Sequence, residues 1–107
     1  MGRYGSSPYR RPMPSLHIEH PITDLATWTT AFSALAEARR HAGVRAEQVR
    51  QPIGEPAFVV VDLEFDTPDE AKAFLQFLEA TVWAVPANSP GLAGTPEAKV
   101  LETVDLT

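Results

Sequence analysis

The stretch Phe58-Val59-Val60-Val61-Asp62-Leu63-Glu64-Phe65 constrains the fold more than any other part of the chain. Side chains alternate between the two sides of an extended strand. At that period Val59, Val61, Leu63 and Phe65 make one wholly apolar side. Phe58, Val60, Asp62 and Glu64 make the other, half apolar and half acidic. The first side demands a core. The second carries too much apolar surface to stand in water if neighbouring strands continue the patch. The chain therefore has to build a sheet with helices on one face and a further layer on the other.

The flanking segments supply such a sheet. Residues 15–20 alternate, with Leu16 and Ile18 on one side and His17 and Glu19 on the other, and Pro21 ends the strand. Thr23 or Asp24 then caps a helix, a side-chain oxygen accepting from an otherwise unpaired backbone N–H. Leu25, Trp28, Phe32, Leu35 and Ala36 recur at three- and four-residue spacing and form one stripe, and Gly43 stops the helix. A second strand spans residues 44–51, a Pro- and Gly-rich turn spans 52–56, and the strand 57–65 follows. Thr67-Pro68-Asp69-Glu70 is a capping box with proline at the first helical position. Ala71, Phe74, Leu75, Leu78 and Val82 form the stripe of that helix, with Phe77 and Trp83 beside it, and Pro86 marks its end. The loop 86–96 is long for a small domain, which suggests a lid or a short irregular helix. A fourth strand spans 97–106. The order β-α-β-β-α-β predicts an α+β, ferredoxin-like fold: a four-stranded antiparallel sheet with both helices on one face. A second copy is the simplest cover for the open face, so a homodimer through the sheet is expected.

Charge divides the chain. Nine bases and fourteen acids give −5 over 107 residues, but residues 1–12 hold Arg3, Arg10 and Arg11 and no acid, so the remainder carries −8. Residues 1–12 read as a flexible basic extension, and 13–107 as a single domain. An acidic body lacks the clustered basic face that nucleic acid requires. No apolar run approaches a membrane span, and no secretory signal is apparent. With no cysteine, disulfide and thiolate chemistry are excluded, and a cytoplasmic location is expected.

Residues from about Met13 to Thr103 resemble the dimeric α/β-barrel superfamily, which includes antibiotic-biosynthesis monooxygenases and related small bacterial proteins of unknown function. The resemblance is carried by the element order, by LHIEHPITDLATWTTAF, by FVVVDLEFD and by WAVPANSPGLAGTPEAKVLE. It implies the ferredoxin-like fold, a homodimer closing a barrel, and cofactor-independent oxygenase or isomerase chemistry as one possible activity. A haem-degrading branch carries a histidine on its second helix, and residues 67–83 contain none. The asparagine, tryptophan and arginine set of some monooxygenases has no match.

Two groups of residues could carry chemistry. His17, Glu19, Asp62 and Glu64 share the outer sheet side, because strands one and three are neighbours in this fold. Like charges crowded away from water are the condition for acid–base work near neutrality, with His17 as proton shuttle. The structural alternative is that these groups pair with one another, or with Arg45 or Arg50, and only specify an interface. A His/Glu pair two apart on a strand recurs by chance, so no metal is expected, and no cofactor is called for. On the other side Trp28, Trp83 and Phe74 lie on or beside the helix stripes. With His20 at the end of strand one, they could border a pocket for a small apolar or aromatic ligand. Plain core packing is the alternative for the tryptophans. A cavity of about 300 Å³ or more would favour an enzyme or binder over a filled core. His41, beside Arg39 and Arg40 near a helix C-terminus, reads as favourable dipole charge. No GxSxG, GxGxxG or P-loop is present.

Overall fold

A computed structural model describes residues 13–106. The expectation for residues 1–12 lies outside the described residues. Strands β1 (Ser15–Pro21), β2 (Ala46–Arg50), β3 (Phe58–Glu64) and β4 (Glu97–Leu101) form one sheet in the order β2-β3-β1-β4, with every neighbouring pair antiparallel. Three α-helices, α1 (Leu25–Ala34), α2 (Ala36–Ala42) and α3 (Pro68–Phe77), complete a ferredoxin-like α+β fold. In the register Leu16 stands opposite Leu63, Ile18 opposite Val61 and His17 opposite Asp62. Strict alternation then gives β1 and β3 one buried side each. Leu16, Ile18, Val59, Val61, Leu63 and Phe65 pack under Trp28, Ala71, Phe74, Leu78 and Val82.

Four elements differ from expectation. The first helix is two. At Leu35 the backbone N–H bonds the Phe32 carbonyl in a tight i+3 turn (3.1 Å), and the Arg39 guanidinium bonds the same carbonyl at 2.5 Å. A side chain inserted into the helical ladder bends a helix. Here it takes an acceptor that a continuous helix would have given to Ala36. The second expected helix, α3, is regular only to Phe77. It widens into a π-helical turn, Leu78–Trp83, and the following loop begins with a 3₁₀ turn, Pro86–Asn88, matching the irregular-helix expectation. Strand β2 starts at Ala46 rather than 44. Strand β4 ends at Leu101 rather than 106, because Leu101 pairs with Ser15, the first residue of β1, and beyond it there is no partner strand. Both caps form as expected. Asp24 accepts from the Thr27 N–H at 2.8 Å, and Thr67 and Glu70 make the reciprocal capping box. Gly43 ends α2 at φ +100.

Candidate functional site

The two histidines lie on opposite faces of the sheet, and their surroundings push their pKa values in opposite directions. On the outer face His17 Nδ1 is 2.7 Å from Asp62 Oδ1, and Nε2 is 2.8 Å from Glu19 Oε2. The second oxygen of Asp62 accepts from Arg50 at 2.8 Å. Arg45 instead pairs with Asp66 at 2.7 Å. Glu64 stands opposite Ser15, two places along β3 from Asp62. A carboxylate only accepts, so both contacts are made at once when both ring nitrogens donate, and the arrangement favours the imidazolium. The bond to Glu19, then that to Asp62, raise its pKa above the ordinary 6.5 against a smaller cost of burial. In this arrangement His17 offers no lone pair to a substrate. The structure joins His17, Glu19 and Asp62 and extends the chain to Arg50. Among the described residues no group of three or more His, Cys, Asp or Glu is placed to hold a metal ion.

The inner face holds a cavity between sheet and helices, and His20, Trp28, Phe74 and Trp83 all line it. Ile18, Val61 and Leu63 form its floor. Trp28 and Phe32 stack at 4.8 Å on one side, and Leu78, Val82 and Trp83 close another. Three wall residues thus come from the π-helical turn, a distortion frequent at functional sites. Asn88, Ser89, Pro90 and Leu92 bring the loop over the opening. The loop is tied down by the Thr23 N–H to the Gly91 carbonyl at 2.8 Å and the Ala93 N–H to the Pro21 carbonyl at 3.2 Å.

His20 was expected at the mouth. It is only 5 % exposed, because strand alternation sends it inward with Leu16 and Ile18. Its Nδ1 donates to its neighbour's carbonyl, Pro21 O, at 3.0 Å, and its ring lies 6.1 Å from that of Trp28. Burial lowers its pKa below 6.5, against the smaller pull of that carbonyl. His20 is therefore neutral, and with the proton on Nδ1 its Nε2 is an acceptor with no hydrogen-bond partner among the described residues.

Arg39 also lines the cavity, a place that sequence reasoning missed. It is 6 % exposed, lies 3.6 Å over the Phe32 ring, and pairs with Glu47 at 2.8 Å. The signal was present: Trp28, Phe32, Leu35 and Arg39 continue one helical spacing, so Arg39 belongs to the inward stripe rather than to the exposed helix end. Asn88 and Ser89 carried no signal, since they reach the cavity only through the fold of the loop.

The cavity measures about 70 Å³. That falls short of the roughly 300 Å³ set for a drug-sized site. It exceeds the ~10–15 Å³ that a water needs, and is about half the ~150 Å³ of a benzene-binding cavity. A single ring fits only if a wall moves.

No family model matches the chain, and no curated protein matches it in sequence. Solved structures do match in fold. A candidate antibiotic biosynthesis monooxygenase from Bordetella bronchiseptica superposes with a TM-score of 0.63 at 12% identity, covering 88% of this chain and 99% of that one. A dimeric ferredoxin-like protein from an uncultured marine organism gives 0.59 at 13% identity, covering 91% and 100%. A protein of unknown function from Nitrosomonas europaea gives 0.56 at 18% identity, covering 90% and 93%. At these identities the likeness establishes a shared fold, and the chain carries the ferredoxin-like fold of those proteins across nearly its whole described length.

Proposed function

We propose that the chain forms a homodimer through its sheet face and that each protomer binds a small hydroxylated aromatic molecule between helices and sheet. The observation that carries the ligand is the buried Nε2 of His20, which no protein group among the described residues engages, beside an aromatic wall. A ligand hydroxyl that reaches this buried acceptor gains a hydrogen bond worth roughly 1 kcal/mol net. Trp28, Phe32, Phe74 and Trp83 supply ring faces for stacking. The Asn88–Pro90 wall is held to the end of the preceding helix, by the Asn88 N–H to the Val85 carbonyl and the Asn88 Nδ2 to the Thr81 carbonyl, both at 2.8 Å, so a ligand ring would enter by moving this turn as a unit. The homodimer is supported by the half-apolar outer side of β3 and by the dimeric neighbour of the same fold.

A second reading, a cofactor-independent monooxygenase or isomerase, shares the first step. His20 Nε2 would take the proton of a phenol or enol, and burial keeps its lone pair available near neutrality. The location of the bare lone pair favours His20 over His17 for this role.

The test is a tryptophan-fluorescence titration with p-cresol and toluene, against the wild type and His20→Leu. p-Cresol is expected to bind about five- to tenfold tighter than toluene, the value of one hydrogen bond of roughly 1 kcal/mol. His20→Leu should erase that preference while leaving toluene binding intact. No saturable quenching by either compound refutes the binding site. Equal affinities in the wild type refute the role of His20.

A further inference from the structure

The outer sheet face carries a charge cluster that ligand binding on the opposite face does not use. His17 lies on β1, between β3 and β4, with both ring nitrogens held by carboxylates. The charged groups that share this side are Glu19 on β1, Asp62 and Glu64 on β3, Glu97 and Lys99 on β4, and Arg50 on β2. Lys99 stands directly opposite His17, and Glu97 opposite Glu19. Phe58, Val60 and the half-exposed Leu101 lie on the same side. Among these described residues four carboxylates meet two permanent cations, so the His17 proton decides between −2 and −1.

A neutral imidazole has one N–H, so losing the proton also breaks one of the two bonds and turns a lone pair toward a carboxylate. On a free face, water screens that repulsion. Between two stacked sheets the water is gone and the twofold axis doubles the mismatch.

We propose that His17 is a proton-controlled latch on the dimer: the two sheet faces associate while His17 is protonated and part as it is deprotonated. The inference rests on the homodimer reading above. The sign follows from which state holds the proton more firmly. The dimer binds more protons than two monomers, so association is strongest at acid pH and weakens as pH rises through the raised pKa of His17.

Sedimentation velocity from about pH 5.5 to about pH 8.5 at constant salt tests this. The dimer Kd should rise with pH, by at most about a hundredfold per unit, for one proton per protomer. His17→Gln should remove the rise. Glu19→Gln, which deletes one of the two carboxylates, should move it to lower pH. A dimer whose Kd is unchanged over this range overturns the latch and leaves the dimer standing. A chain that is monomeric at every pH overturns the dimer and the latch with it.

Discussion

Gly91 and Gly54 allow the attachment of the cavity loop to be weighed directly. Both have left-handed backbones, with φ of +91 and +87, so an alanine at either pays the same conformational penalty. That penalty is about 1–2 kcal/mol. At Gly54 an added Cβ meets nothing within 4 Å. At Gly91 it would sit 2.9 Å from both the N and Cα of Trp28, and backbone there cannot yield. The loop must lift instead, losing the Thr23 N–H to Gly91 carbonyl bond and uncovering the Trp28 side of the cavity. The lost bond and the loosened packing add about 2 kcal/mol. At roughly 4–8 °C per kcal/mol for a domain of this size, Gly91→Ala should melt about 8–16 °C below Gly54→Ala. Circular dichroism and tryptophan emission should be followed together. The Trp28 emission should shift to the red in Gly91→Ala before the global transition and remain unshifted in Gly54→Ala. Equal melting temperatures would show that the 86–96 loop is not seated on Trp28, and the cavity would lose its loop-side wall.

Three further outcomes follow from the charged groups. Glu47→Gln strips the counter-charge from buried Arg39 and should cost about 2 kcal/mol, less than a fully buried pair because Glu47 is itself partly exposed. Glu37→Gln, which breaks only exposed contacts to Arg40 and, at 3.7 Å, to His41, should cost no more than about 0.5 kcal/mol by urea denaturation. Stability should also fall on both sides of a near-neutral optimum. His20, held neutral, contributes stability that is present above pH 6.5 and lost as pH falls toward its lowered pKa. His17, held charged, contributes stability that is present below 6.5 and lost as pH rises through its raised pKa. His20→Gln should flatten the acid limb and His17→Gln the alkaline limb, each read from urea midpoints across the pH range.

Local patterns made much of this molecule legible. The alternation in Val59, Val61, Leu63 and Phe65 set the buried side of β3, and Thr67 with Glu70 placed the start of α3, because each depends on residues close in sequence. The same alternation already put His20 and His17 on opposite faces, although the depth of His20 depends on the loop that closes over it. What was not legible comes from distant partners. The break at Leu35 needs Arg39 to reach the Phe32 carbonyl. The end of β4 is set by where β1 begins. The π-helical turn has no proline or glycine to announce it. His20, Trp28, Phe74 and Trp83 could be grouped from their spacing, but the cavity size could not, since it depends on how closely the side chains of all layers fit.

The state of His20 in solution is the most direct measurement. Long-range ¹⁵N–¹H correlation spectra of the imidazole rings near neutral pH should show His20 neutral, protonated on Nδ1, with a bare Nε2. Adding p-cresol should shift that Nε2 resonance, and adding toluene should not. A His20 protonated on Nε2, a fully charged ring, or an Nε2 signal indifferent to the phenol would contradict a ligand site built around this lone pair.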